Sequence, residues 1–199
     1  MIPNMPTKFR LVILAIVVLA ISSSSAYQEL RAADKNKPSR PTVGEEAADF
    51  ELKTLDAETV KLSKLVADGP VVLIVLRGFP GYQCPVCNSQ VGQFLSKAEQ
   101  FDALKTRVVM VYPGPADGLK KHADEFVRGK TLPNNFSLAL DPDYEFAKAY
   151  HLRWDAKNET AYPSTFVVDR ERKVTFAKIS ISHGGRASAD EVLKALAGK

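Results

Sequence analysis

Cys84 and Cys87, in the run Gln83-Cys84-Pro85-Val86-Cys87, are the only cysteines among 199 residues. Thiols at this spacing can share one helical turn and cycle between dithiol and disulfide. Apolar residues follow at Val91, Phe94, Leu95, Ala98 and Phe101, the rhythm of an amphipathic helix. Pro85 suits the first helical position, which makes Cys84 the N-cap and puts Cys87 in the first turn. There the unpaired N–H groups and the positive end of the helix dipole stabilise a thiolate, the nucleophilic form of sulfur. A thiol of pKa ~8.5 is only about 3% ionised at pH 7, whereas one of pKa ~6.5 is about 75% ionised.

Two plainer uses of such a pair compete. An inert disulfide closing a four-residue ring contributes about 2 kcal/mol, against about 4.7 kcal/mol for a 100-residue loop, so this spacing is a poor staple and a good redox switch. A metal site would need more ligands, because a dithiol fills half a tetrahedral shell. His122, His151 and His183 are scattered without paired spacing. Neither metal nor cofactor is expected. Tyr82 and Phe79 flank the dithiol and can line a substrate groove or pack in the core, and Trp154 reads as core or lid. His183, in Ser182-His183-Gly184-Gly185-Arg186, can act as a proton donor or simply sit in a turn. No Asp or Glu lies between Gly69 and Asn88, so a proton acceptor must be water or come from elsewhere in the chain.

The elements that must position this pair follow from patterning. Phe50 to Leu62 alternates apolar and polar residues about Asp56-Ala57-Glu58, a hairpin signal. Val71 to Leu76 is six apolar residues in a row, the mark of a strand covered on both faces, and it leads straight to the cysteines. Strands are expected at Val108–Tyr112, Phe136–Leu140, Ser164–Val168 and Val174–Ile179. Helices are expected after Cys84, at Leu119–Val127, at Tyr144–Tyr150, and around Ala189, Val192, Leu193 and Leu196. The alternation implies an α/β domain, a central sheet with helices on both faces.

The N-terminus has Lys8 and Arg10, an apolar run from Leu11 to Ile21, then Ser22 to Ala26. This is the grammar of a signal peptide over residues 1–26, with cleavage after Ala26. The run is well short of the ~20 residues of a spanning helix, and an uncleaved anchor is the alternative. Residues 27–42 carry Pro38 and Pro41 without periodicity and read as a flexible leader, so the domain is expected over 43–199. An exported protein, periplasmic or extracellular, is therefore expected. The net charge is +4, of which the first 26 residues carry two, so a nucleic-acid partner is not indicated. With 45% apolar residues the chain can bury an ordinary core.

With a strand, the CPVC run, a helix and a later Tyr162-Pro163-Ser164-Thr165-Phe166-Val167-Val168-Asp169, the chain resembles the thioredoxin-fold superfamily. More narrowly it resembles the redoxin and AhpC/TSA (peroxiredoxin-like) branch, over roughly Val43 to Leu196 and including the leading hairpin. The resemblance implies a thioredoxin-like fold with a central mixed sheet. It implies a cis Pro163 that faces the dithiol and presents backbone to substrate. Pro80 to Cys87 fits the family frame Pro-x-x-x-Thr-x-x-Cys with Cys84 in the Thr place, which makes Cys87 the peroxidatic residue. Peroxiredoxins carry an Arg just before the Thr-Phe strand; Pro163 stands in that neighbourhood here, and Arg77 or Arg153 is the candidate replacement. Thioredoxin's Trp before the first cysteine is Gln83 in this chain.

The implied activity is thiol-dependent peroxide reduction through a Cys84/Cys87 dithiol–disulfide cycle. Pro163, Tyr82 and Arg77 would contact substrate, and an external thiol reductant such as a thioredoxin-like protein would recycle the enzyme. The alternative is exchange with protein disulfides, in which Cys84 attacks and Cys87 resolves. A third reading is copper handling like that of Sco-type chaperones, which use this fold with two cysteines and a distant His, but with three residues between the cysteines.

Overall fold

The computed structural model describes residues 40–198, so the expected signal at 1–26 and the leader up to residue 39 lie outside the described residues. A short hairpin of β1 (Glu51–Lys53) and β2 (Thr59–Lys61) leads into helix α1 (Leu62–Asp68). Then follow β3 (Val71–Val75), α2 (Pro85–Leu95), α3 (Ala98–Ala103), β4 (Arg107–Gly114), α4 (Leu119–Val127) and β5 (Phe136–Pro142). The chain continues through α5 (Glu145–Ala149), β6 (Ser164–Val168), β7 (Val174–Ile179) and α6 (Ala189–Leu196).

Strands β3 to β7 form one sheet in the order β5-β4-β3-β6-β7. β3 pairs parallel with β4 and β4 with β5, while β6 runs antiparallel to both β3 and β7. This is the mixed sheet expected from the sequence. All five residues of central β3 are fully buried, as its unbroken apolar run requires. Side chains alternate across a strand, so β3 feeds two cores. Val72 and Ile74 pack with Val91 and Phe94 of α2, Phe126 of α4 and Val192 of α6. Val71, Leu73 and Val75 pack with Phe50, Leu62 and Val66 on one side of the hairpin and with Phe146 and Tyr150 near α5.

Two elements depart from the patterning. The rhythm from Val91 to Phe101 predicts one helix, but the chain bends at Ser96–Lys97, where Ser96 Oγ donates to the Gln93 carbonyl at 2.8 Å and Lys97 leaves helical geometry. The bend stacks Phe101 on Phe94 at 5.5 Å and sets it edge-on to Phe136. Helix α1 has no counterpart in the sequence reading, because seven residues with only Leu62 and Val66 buried give too little periodicity to detect.

The end of β3 delivers the site. After Leu76 the chain turns through Arg77 and Gly78, and a Cβ at Gly78 would lie 1.9 Å from the Pro113 carbonyl oxygen of β4, with φ at +70°. Only glycine fits that close approach. On the far side, the loop after β7 is pinned where α6 begins. Ser188 and Glu191 form a reciprocal capping box there.

Candidate functional site

Cys84 is the N-cap of α2 with extended backbone (φ −70°, ψ 111°), Pro85 opens the helix, and the Cys87 N–H donates to Cys84 Sγ at 3.3 Å. Both cysteines are free thiols, 2% and 1% exposed. Cys87 Sγ accepts the Arg77 backbone N–H at 3.4 Å from the end of β3. The strand end and the helix start thus each supply one N–H to one sulfur.

A guanidinium spans the pair. Arg186 Nη1 lies 3.2 Å from Cys87 Sγ and 3.4 Å from Gln90 Oε1, Nη2 lies 3.6 Å from Cys84 Sγ, and Nε donates to the His183 carbonyl at 3.0 Å. The dithiol holds its first and second protons very differently. The Cys87 S–H donates to Cys84, and with the Cys87 backbone N–H and the charges of Arg186 and Arg77 it outweighs burial and lowers Cys84 to about 5. Hydrogen bonding to the Cys84 thiolate, together with deep burial, pushes Cys87 well up. One thiolate and one thiol face each other under one cation.

The residues expected to meet substrate are arranged differently from the expectation. Arg77 brings its backbone to Cys87, while its side chain, 3% exposed, turns away. Its guanidinium makes a fork-like pair with Glu159 at 2.7 and 3.1 Å and donates to the Tyr82 hydroxyl at 2.6 Å and the Asn158 carbonyl at 3.0 Å. Those contacts occupy the fork, so it is not free for a substrate. Tyr82 sits beside the dithiol, 49% exposed, its hydroxyl tied to Arg77. Pro163 corrects an expectation: there is no cis peptide bond among the described residues, and its carbonyl accepts the Ser180 N–H at 2.8 Å. One lone pair of that oxygen is therefore engaged by the chain leaving β7.

Arg153 is held away by the carbonyls of Trp154, Glu159 and Thr160 and lies over the Tyr144 ring. Phe79 packs against the core and stacks on His122 at 3.6 Å. Trp154 stacks on Tyr162 at 4.8 Å and lies 5.5 Å from the His183 ring. His183 Nε2 bonds Glu159 Oε1 at 2.8 Å, so this histidine serves the carboxylate and not the sulfurs.

Three residues of the site were not singled out by sequence reasoning. Arg186 was visible only as the end of a glycine-rich loop, and which arginine reaches the sulfurs depends on tertiary folding. Gln90 had a clearer signal: a polar residue on the helical face shared by Cys87, Val91 and Phe94. It is buried and donates to the Ala187 carbonyl at 3.1 Å and to Thr165 Oγ1 at 3.4 Å, tying α2 to β6 and to the loop after β7. Glu159 lies in the polar stretch Asp155-Ala156-Lys157-Asn158-Glu159-Thr160, where its pairing with a residue 82 positions away leaves no local trace. No cluster of three or more His, Cys, Asp or Glu able to hold a metal ion occurs among the described residues.

Comparison with known proteins agrees with this fold. Residues 43–177 match the model of the AhpC/TSA family. The chain is similar to the peroxiredoxin Bcp of Bacillus subtilis, at 31% identity over 138 residues covering 66% of this chain and 81% of the relative. Among solved structures it resembles the peroxidoxin BcpB from Mycobacterium tuberculosis, at 25% identity and a TM-score of 0.63, covering 80% of this chain and 98% of that one. AhpC of the same organism gives a TM-score of 0.64 at 19% identity, covering 80% and 98%.

Proposed function

The chain belongs to the AhpC/TSA family, and from that premise we propose that it is an exported thiol-dependent peroxidase whose attacking sulfur is Cys84 and whose resolving sulfur is Cys87. The observation that carries this reading is the guanidinium of Arg186 spanning both sulfurs, with Cys84 lowered to about 5 and Cys87 pushed up. The pair then carries one thiolate at neutral pH, placed here on Cys84, the N-cap that accepts the Cys87 N–H. Burial of both sulfurs favours a small hydroperoxide over a protein disulfide as the first substrate.

The Cys84 thiolate attacks one peroxide oxygen, forming an S–O bond as the O–O bond breaks. The departing oxygen takes a proton from solvent and leaves as water or an alcohol. Sulfur is oxidised by two electrons to sulfenic acid, and Arg186 stabilises charge developing on the oxygens. The Cys87 thiol then displaces hydroxide from the sulfenic acid, its proton completes a water molecule, and an S–S bond closes on one helical turn. An external thiol reductant, thioredoxin-like in kind, supplies two electrons and two protons to restore the dithiol. Since the pair is buried, that reductant needs the first turn of α2 to open before it can reach a sulfur. Export is supported by the basic-apolar-small run of residues 1–26, and N-terminal sequencing of the mature protein should start at Tyr27.

The test is the rate of hydrogen peroxide reduction by pre-reduced wild type, Cys84→Ser and Cys87→Ser. Cys87→Ser should react rapidly and stop at a sulfenic acid, while Cys84→Ser should lose about a thousand-fold or more, as expected on removing a covalent nucleophile. A fast Cys84→Ser and a slow Cys87→Ser would move the attacking role to Cys87, as the family's sequence frame implies. If neither protein nor variant outpaces a free thiol, while a small disulfide reacts quickly through Cys84, the protein is a disulfide oxidoreductase on this frame.

A further inference from the structure

Arg186 reaches the sulfurs from an exposed loop, and the loop's own contacts explain how its guanidinium stays in place. Its Nε is held by the His183 carbonyl three residues earlier, and Nη1 by Gln90. His183 is followed by Gly184 and Gly185, the second at φ +68°, so no side chain restricts the backbone that joins His183 to Arg186. The His183 ring is what ties this stretch to the rest of the fold. Nε2 meets Glu159 at 2.8 Å, and Glu159, 11% exposed, is in turn fixed by the buried fork of Arg77. Ser180 adds a second anchor, its hydroxyl bonding the Ser182 and Gly184 carbonyls.

A continuous chain of polar contacts results. It starts at Arg77, whose backbone N–H faces Cys87. It runs through Glu159 to the His183 ring, passes from the His183 carbonyl to Arg186, and ends on both sulfurs. Both ends of the chain are at the dithiol, though neither Glu159 nor His183 bonds sulfur. We propose that Glu159 and His183 form a latch that fixes the Arg186 guanidinium across the two sulfurs, making His183 a positioning residue for the thiol chemistry. This rests on the reading of Cys84 and Cys87 as the reacting pair. It assigns His183 work other than proton donation to substrate.

The latch has a thermodynamic signature independent of peroxide. If His183 acts only through Arg186, its loss must raise the thiolate titration in the same direction as loss of Arg186, and by less. Removing both residues must then shift it no further than removing Arg186 alone. The experiment is a pH titration of ultraviolet thiolate absorbance on the reduced full-length protein, for wild type, His183→Ala, His183→Gln, Arg186→Ala and the His183→Ala/Arg186→Ala double variant.

The expected result is an upward shift of about half a pH unit to one unit for His183→Ala. Substantial recovery is expected in His183→Gln, whose amide N–H can still reach Glu159, and the double variant should match Arg186→Ala. Near-ultraviolet circular dichroism and melting curves on the same samples separate a displaced loop from a misfolded protein. If His183→Ala is poorly folded, Glu159→Gln, which keeps the shape and one of the two hydrogen bonds from Arg77 but loses the charge facing His183, should give the same direction of shift. An unchanged midpoint in folded His183→Ala, or a double variant whose shift is the sum of the two singles, overturns the latch. Since no peroxide is added, such a failure is distinct from failure of the peroxidase reading, which the rate assay alone decides.

Discussion

Two strand-to-helix junctions of the same sheet bury an acidic group under backbone N–H donors and treat it in opposite ways. After β3, Cys84 caps α2, receives one N–H at 3.3 Å, and is lowered from 9.0 to about 5. In β5, Asp141 is fully buried and receives two N–H donors of α5, from Phe146 at 2.7 Å and Ala147 at 3.0 Å, yet burial raises it from 3.8 to about 6. The carboxylate has more and shorter backbone bonds and is still the less willing anion. What it lacks is a strong neighbouring partner: Glu145 repels it and Lys148 offsets that only in part. The thiolate has the Cys87 S–H and the guanidinium of Arg186. Helix N–H groups alone do not hold a buried anion in this fold; an added donor and a cation do.

Removing the cation should make the first junction behave like the second. Arg186→Ala is expected to raise the midpoint of the thiolate titration by about one to three pH units, with a matching loss of peroxide reactivity at neutral pH. Arg186→Lys should recover only part, since a single ammonium cannot span two sulfurs and Gln90 as the fork does. An Arg186→Ala midpoint equal to wild type would credit the low value to the S–H and N–H donors and break the contrast at its main point.

The two junctions should also leave opposite marks on stability. Between about pH 5 and pH 9 the unfolded chain still holds a proton on Cys84 that the folded chain has released. The reduced protein therefore gains stability as pH rises through that window and loses it as pH falls toward 5. Thermal melts of reduced wild type and Cys84→Ser across this range should diverge steadily, with the wild type gaining on the variant as pH rises. Parallel curves would mean that Cys84 titrates alike in both states.

The elements of both junctions were legible in the sequence, but the charged groups around them were not. The apolar run of β3, Pro85 after Cys84, and the helical rhythm from Val91 onward are local signals, and they were enough to place both sulfurs at a helix N-terminus. The mixed sheet followed from the order of the strands and the family resemblance. The cation could not be read in the same way. Arg186 lies 99 residues from Cys87, and its arrival depends on the turn of the chain after β7, on Gln90 and on the His183 loop. The arginine nearest in sequence, Arg77, was the natural expectation, but Glu159 takes its side chain. The cis geometry implied for Pro163 is likewise absent among the described residues, where its carbonyl pairs with Ser180 as the chain leaves β7. Local patterning places nucleophiles, and long-range pairing selects the charges around them.

The smallest expected effect bears on the Asp141 side of the contrast. A carboxylate that titrates near 3.8 unfolded and about 6 folded binds more protons in the folded state between those values. Stability must therefore fall as pH rises from about 4 to 6, and the cost that persists above 6 is at most about 3 kcal/mol. Asp141→Asn removes the titration but leaves one of the two N–H donors facing an amide NH2, a loss of about 1–3 kcal/mol at all pH values. Chemical denaturation should find the variant less stable than wild type near pH 4, with the gap closing or reversing by pH 7. Curves that stay parallel from pH 4 to 7 would show that two backbone donors suffice to keep a buried carboxylate ionised. In that case the contrast would narrow to donor number, since Cys84 receives only one backbone N–H and would still draw on the Cys87 S–H and Arg186.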